Sequence, residues 1–162
     1  MICQNFDEFL KQISDGLVIM GLDLGEKTIG VAISDFHRKI ATGIRTIKRK
    51  KFKNDSQAII DFANSRQVGG IVLGLPKNMN GSEGPRSQST RAFGRNLSRE
   101  MEIPITFWDE RLSTKAAERV LIQADQSRRK RSQVIDYVAA TYILQGALDR
   151  INFILEERMN YD

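Results

Sequence analysis

Acidic residues at the ends of predicted strands are the side chains of this sequence best suited to chemistry. Asp23 closes an apolar run that begins at Leu17, and Asp109 and Glu110 follow the apolar stretch at 103–108. Asp136 stands beside the apolar side of a predicted helix. Carboxylates that meet at one sheet edge are hard oxygen ligands for Mg²⁺ or Mn²⁺. Such ions activate water and stabilise the leaving oxygen of a phosphodiester, often as a pair roughly 3.5–4 Å apart.

From their spacing alone, the same acids could instead have only structural roles. Strand-end acids also bind turns and lysines, and an acid such as Asp136 is favoured near a helix N-terminus, with Ser132 as the cap. The pattern by itself therefore leaves metal-dependent chemistry as one of two alternatives.

The predicted elements would bring several of these groups together. Three strands at 17–22, 29–33 and 41–47 follow a short amphipathic helix within 4–14 and are joined by short links, which predicts antiparallel pairing. Strand and helix then alternate, with strands at 70–74 and 103–108 and helices at 54–66, 86–100, 113–124 and 132–148, before a helical tail. This order predicts an α/β sheet with an antiparallel edge.

In such a sheet, functional residues gather at the carboxyl ends of the parallel strands. Asp23, the polar loop that begins at Lys77 and includes Asn78 and Asn80, and the segment 109–111 should share that edge. Asp35 ends a strand that runs the other way, so we expect it to be a turn residue at the opposite edge.

Composition narrows the chemistry further. The chain has 162 residues, one cysteine (Cys3) and one histidine (His37), which excludes a disulfide framework and a cysteine-based zinc site. No apolar run is long enough for a membrane helix, and the acidic N-terminus is unlike a signal peptide. We therefore expect an intracellular protein, with His37 in a turn and Trp108 in the wall of the core rather than stacked on a base.

The charge balance points to a polyanionic partner. Lysine and arginine number 25 against 20 acids, giving a net charge of +5 and a pI of about 9.5. Two basic clusters, KRKKFK at 48–53 and RRKR at 128–131, fall in predicted loops. They could bind nucleic acid or simply be solvated.

Four motifs together resemble the YqgF/RuvX family of bacterial RuvC-like proteins. They are GLDLGEKTIGVAISD at 21–35, GLPKNMNGSEG at 74–84, WDERLST at 108–114 and RSQVIDYVAATYILQGALD at 131–149. The resemblance implies an RNase H-like fold, with a mixed five-stranded sheet flanked by helices, as a single domain over 1–162. The stretch 1–16 is then an N-terminal extension, and 150–162 a helical tail.

The resemblance also implies a cytoplasmic nuclease that matures the 5′ end of pre-16S rRNA or, alternatively, cleaves Holliday junctions. Asp23, Glu110 and Asp136 match the family's acidic positions and would hold one or two Mg²⁺ or Mn²⁺ ions. Asn80 departs from the aspartate that the family commonly has there. Nucleic acid, with RNA favoured over a DNA junction, and precursor ribosomal particles are the expected partners of a monomer or homodimer.

Six residues are predicted to bind the substrate backbone around these acids. Lys27 and Thr28 follow Asp23 in a tight turn, and a positive side chain there could meet a phosphate oxygen. Arg111 could contact a phosphate or instead clamp a carboxylate. The full set is Lys27, Thr28, Lys77, Arg111, Arg129 and Lys130.

Two other classes of protein remain as rivals. The stretch DLGEKTIG resembles the first phosphate loop of the actin/hexokinase class, but those proteins close two domains over a nucleotide and this length suggests one. A non-catalytic module that binds nucleic acid or the ribosome could keep the fold, although all three acids are present here.

Overall fold

The computed structural model describes residues 1–112 and 128–161, with side chains in the second range from Tyr137 onward. The strands are β1 (Val18–Leu24), β2 (Thr28–Ser34), β3 (Ala41–Lys48), β4 (Val68–Leu75) and β5 (Ile105–Asp109). The α-helices of this part of the chain are α1 (Phe6–Gln12), α2 (Phe52–Ser65), α3 (Pro85–Glu100) and α4 (Arg128–Tyr161), and a 3₁₀ turn covers Glu110–Leu112.

The strands form one mixed sheet in the order β3-β2-β1-β4-β5. The two short links keep β1, β2 and β3 antiparallel, whereas the helical crossovers make β4 parallel to β1 and β5 parallel to β4. The predicted α/β class and antiparallel edge are confirmed. Because β1 and β4 are central and parallel, their carboxyl ends define one edge of the sheet.

Each face of the sheet is covered by its own pair of helices. Alternate residues of β1 point to opposite faces: Met20, Leu22 and Leu24 join the core under α2 and α3, while Ile19 joins the core under α1 and α4. At Gly21 the sheet and α4 lie so close that a Cβ there would stand 2.7 Å from Leu144 Cβ. The helix α4 therefore lies directly on the strand that carries Asp23.

The N-terminal extension is part of the core. Asn5 caps α1 by accepting a hydrogen bond from the Glu8 N–H at 2.8 Å. The helix then buries Phe9 completely, against Gly70 of β4. Ahead of it, Ile2 bridges to Ile105 beside β5, so the extension also covers one open edge of the sheet.

The prediction of a loop at 128–131 was wrong, because α4 begins at Arg128 and runs without a break to Tyr161. Arginine and lysine are strong helix formers, and a dense positive charge did not outweigh that preference. Ser132 consequently lies inside the helix and is not its cap. The helix predicted at 113–124 falls outside the described residues. Among the helices that the structure describes, none combines the length and hydropathy that a bilayer-spanning segment requires.

Candidate active site

The carboxyl ends of β1 and β4 bring two carboxylates together on the face that α4 covers. Asp23 is two residues after Gly21 on β1 and so shares its face. Glu110 follows directly after β5, at the start of the 3₁₀ turn. That turn brings the Glu110 side chain back over Gly74, the penultimate residue of β4. The predicted meeting of Asp23 and Glu110 at this edge is thus seen in the structure.

The two carboxyl groups are close enough to share a hydrogen bond, which perturbs Glu110 strongly. Its pKa is raised to about 7, first by burial, then by the charge of Asp23 and the hydrogen bond with it. The positive charge of Arg86 acts in the opposite direction, and Asp109 adds a smaller increase. A carboxyl group whose pKa lies near neutrality, beside a second carboxylate, is typical of functional sites.

Gly74 makes the space that Glu110 occupies. A Cβ at this position would lie 2.6 Å from Glu110 Oε1 and 3.1 Å from its Cγ, and would also clash with Ile143 Cδ1 of α4. Real Cβ atoms do not approach other heavy atoms so closely. Only glycine at this position leaves room for Glu110 and Ile143 in the positions they occupy.

The turn after Asp23 is fixed by the neighbouring basic segment. The Gly25 N–H donates to the Thr28 carbonyl at 2.9 Å, and the Arg49 N–H donates to the Lys27 carbonyl at 2.9 Å. The Arg49 side chain donates to the Gly25 carbonyl at 2.7 Å. Lys27 is exposed and Thr28 half-buried, so this turn presents both predicted phosphate contacts beside Asp23.

Arg86 is a site residue that sequence reasoning missed. It lies in the first turn of α3 and lines, with Arg49 and the turn at Gly25, a cavity of about 200 Å³. Its charge lowers the pKa of Glu110, so it belongs to the same electrostatic site. A signal was present: a positive side chain is unfavourable at the electropositive start of a helix, which suggests a role other than helix stability.

Asp109 and Arg111 form a clamp that is separate from the carboxylate pair. Asp109 pairs with Leu75 across the sheet and lines a cavity with Lys77 and Phe107 on the side of α3. The Arg111 guanidinium binds both Asp109 oxygens, with the shortest contact at 2.6 Å. This ion pair lowers the pKa of the Asp109 carboxyl. Arg111 thus clamps Asp109 and not Glu110, and Lys77 lies near that clamp.

The loop after β4 is built by its own polar side chains. Asn80 Oδ1 accepts from the Ser82 N–H and hydroxyl, and Asn78 is bonded to Ser82 through backbone and side chain. Gly81 adopts a left-handed φ of 87°, which glycine tolerates without strain. Arg111 ties the loop to the clamp through the Met79 carbonyl at 3.2 Å. Asn80, the departure from the family pattern, is therefore a turn-forming residue.

Three predicted site residues have side chains outside the part of the chain that the structure describes: Asp136, Arg129 and Lys130. All three lie within α4. Asp136 is one turn before Ala140, whose carbonyl oxygen would stand 3.2 Å from a Cβ at Gly21. Tyr137, directly after position 136, packs at Gly43 of β3, so α4 crosses the sheet from β1 towards β3 in this region.

Other expectations concern residues that take no part in the site. Asp35 accepts from the N–H groups of Lys39 and Ile40 and closes a turn at the opposite edge, as predicted. His37 lies in that turn. Trp108 packs against Gly146 of α4, where a Cβ would meet the indole at 2.7 Å. Its role as a core-wall residue is confirmed.

The donor set at this edge fits a hard divalent cation. In the described part of the chain, metal-ligating side chains do not form a group of three. Asp23 and Glu110 nevertheless form a half-buried pair that, without a cation, retains a proton up to about pH 7. A cation between them would offset the repulsion between the two carboxylates. Oxygen ligands of this kind suit Mg²⁺ or Mn²⁺.

Curated relatives cover nearly the whole chain. A protein of Ruegeria pomeroyi is 60% identical over 151 residues, covering 93% of this chain and 98% of its own length. One of Roseobacter denitrificans is 56% identical over 160 residues, covering 98% of both chains. One of Paracoccus denitrificans is 57% identical over 154 residues, covering 95% of this chain and 98% of its own. Each is named "Putative pre-16S rRNA nuclease".

Solved structures of resolvases share the fold at low sequence identity. Thermus thermophilus RuvC, solved with a Holliday junction substrate, gives a TM-score of 0.54 at 12% identity, over 83% of this chain and 94% of that one. The Fowlpox virus resolvase, in complex with Holliday junction DNA, gives 0.53 at 14% identity, over 83% of this chain and 99% of that one. These likenesses support the RuvC-like RNase H fold. The model of the RuvX family, described as Holliday junction resolvase, matches residues 17–150, and the chain therefore belongs to the RuvX family.

Proposed function

We propose that this chain is a nuclease that hydrolyses phosphodiester bonds and processes the 5′ end of pre-16S rRNA, with Mg²⁺ or Mn²⁺ as its cofactor. The proposal goes beyond the fold, because one fold serves many activities and a function must be argued from the site. Support comes from the name shared by relatives that are 56–60% identical to this chain.

One observation carries the proposal: Asp23 and Glu110 share a hydrogen bond at the carboxyl edge of the sheet, and the pKa of Glu110 is raised to about 7. Such a pair costs stability, and an arrangement of this kind is typical of functional sites. Gly74 leaves the room that Glu110 occupies, since a Cβ there would lie 2.6 Å from Glu110 Oε1.

Asp23 and Glu110, with Asp136 on α4, would hold the cation or cations. When bound there, a divalent ion supplies a Lewis acid and an activated water for phosphodiester hydrolysis. The carboxylates alone would repel a phosphate, so the positive groups of the chain must draw the substrate in. Arg86, whose charge acts on Glu110, and the exposed Lys27 in the turn after Asp23 can each donate to phosphate oxygens without reading the base sequence.

A cleavage assay on three substrates tests this proposal. Wild type and Asp23→Asn are incubated with Mg²⁺ or Mn²⁺ and a pre-16S rRNA 5′ fragment, a four-way DNA junction or plain single-stranded RNA. We expect wild type to cut the rRNA fragment at defined positions and Asp23→Asn to lose at least about 10²-fold in rate. Equal cleavage by the two proteins would contradict the proposed site.

Cleavage of Holliday junctions is the second candidate, and the description of the matching family model favours it. A junction resolvase must cut two strands and so would need two sites, hence a homodimer, whereas an rRNA nuclease could work as a monomer. Cutting of the junction but not of the rRNA would move the assignment to DNA. Binding without cutting of any substrate would support a non-catalytic module.

We further propose the cytoplasm as the location and precursor ribosomal particles as the partner. Both follow from the proposed substrate, since pre-16S rRNA is made and assembled there in bacteria. The net charge of +5 is suited to such a polyanionic partner. Co-sedimentation of the tagged protein with precursor particles, and its loss at high salt, would test the partner.

A further inference from the structure

A groove at the outer end of β2 and β3 lies next to the carboxylate pair, and only Lys27 and Thr28 among its lining residues have a proposed role so far. We call it the edge groove. It has a volume of about 550 Å³ and is lined by Lys27, Thr28, Arg45, Thr46, Lys48 and Tyr137. No acidic side chain is found among these residues, although the chain as a whole carries 20 acids.

Strand register connects the edge groove to Asp23. Asp23 pairs with Gly30 of β2, and Gly30 pairs with Thr46 of β3. Residues paired across a sheet share a face, so Asp23 and Thr46 lie on the same face about 10 Å apart, at two strand spacings. Gly30 contributes no side chain between them. Gly30 itself is buried, so the route from the carboxylate pair to the groove runs past the exposed turn at Lys27, which also lines the groove, and not over Gly30.

The next cross-strand row adds the positive charge. Thr28 pairs with Lys48, and both are on the same face as Thr46, since Lys48 is two residues further along β3. Lys48 and Lys27 are exposed, and neither has an ion pair within the described residues. Arg45 is different, because its guanidinium lies over the Phe62 ring at 5.4 Å. The charge directed at a ligand comes from the two lysines.

We propose that the edge groove binds the substrate strand on one side of the cleavage point. Lys27 and Lys48 contact successive phosphates as the strand runs outward from Asp23 towards β3. Tyr137 of α4, whose ring packs at Gly43, offers an aromatic wall on which a base can stack. This inference rests on the proposed nuclease function, for which it names the path of the bound strand.

The test is equilibrium binding of a labelled single-stranded RNA, measured in an Asp23→Asn background so that cleavage plays no part. Each phosphate contact on a single strand contributes about 0.7 to the slope of log affinity against log salt. When the salt concentration rises fourfold, a variant that has lost one contact should therefore lose about 2.6-fold less affinity than its parent. We expect Lys48→Gln to show a slope smaller by about 0.7, and Lys27→Gln with Lys48→Gln a slope smaller by about 1.4.

Lys11→Gln is the matched control, because Lys11 is also exposed and belongs to α1, which packs at Gly70 near the start of β4, away from the carboxylate pair. It removes the same charge and should leave the slope within about 0.2 of the parent. An unchanged slope in Lys48→Gln, or an equal decrease in Lys11→Gln, would contradict the proposed role of the edge groove. Failure of wild type to cleave RNA would instead overturn the nuclease proposal, and the binding data separate the two results.

Discussion

Replacing Gly74 with alanine should impair cleavage more than it impairs folding. The added Cβ would lie 2.6 Å from Glu110 Oε1 and would also clash with Ile143 Cδ1. Both atoms are the far ends of flexible side chains, so the structure can relieve the clash by rotating them away. The Glu110 carboxylate would then leave its position beside Asp23.

The expected sizes of the two effects differ. Overpacking by one methyl group typically costs about 1–3 kcal/mol of stability. Displacement of a catalytic group by about 1 Å can cost about 10²-fold in rate. We therefore expect the Gly74→Ala variant to remain folded at 25 °C with a cleavage rate reduced about 100-fold, provided that Glu110 acts from the observed position.

Gly70→Ala is the matched control for this experiment. Gly70 is on the same face of β4, four residues earlier, and a Cβ there would lie 2.6 Å from Phe9 Cζ and 2.7 Å from Ile13 Cδ1. The methyl group added by Gly70→Ala would clash with the stiff ring of Phe9. This variant should lose at least as much stability in urea unfolding as Gly74→Ala, but it should keep its cleavage rate per folded molecule. Wild-type cleavage by Gly74→Ala, or an equal loss in both variants, would refute the reasoning.

Three further predictions follow from other contacts. Because the pKa of Glu110 is raised from 4.5 to about 7, stability in metal-free buffer should fall as pH rises from about 4.5 to about 7. Thermal unfolding of Glu110→Gln should lack this fall, and an identical pH profile would contradict the perturbed pKa. Phe9→Ala should lower the free energy of unfolding by about 3–5 kcal/mol, because Phe9 is fully buried; a loss below about 1 kcal/mol in urea unfolding would show that the extension is dispensable. A lysine in Arg111→Lys cannot contact Asp109 and the Met79 carbonyl together, so hydrogen exchange at the Gly81 amide should accelerate. Unchanged exchange would show that the loop is stable without the Arg111 contact.

The sheet was predictable because its signals are local. Apolar runs, short links and the change to strand–helix alternation predicted the five strands, and the carboxyl edge followed from parallel pairing. Asp23 could be placed there because it directly follows a buried run. Strand alternation could also have separated Asp109 from Glu110: if Trp108 faces the core under α4, its neighbour Asp109 must face the other way.

Other features depended on tertiary contacts that a local pattern does not record. Arg86 reaches the site only because α3 begins beside the turn after Asp23, although its unfavourable place at a helix start was a clue. The raised pKa of Glu110 required the fold to bring Asp23 alongside it and to remove water. The start of α4 was misplaced because the charge of 128–131 was given more weight than its helix propensity.

Binding of Mn²⁺ by calorimetry tests the central claim most directly, namely that Asp23 and Glu110 form a cation site. Wild type is compared with Asp23→Asn, Glu110→Gln and Asp109→Asn, the last being adjacent in sequence to Glu110 but engaged with Arg111. We predict that binding is lost in Asp23→Asn and Glu110→Gln and kept in Asp109→Asn. Equal Mn²⁺ affinity in wild type and the first two variants would contradict the account.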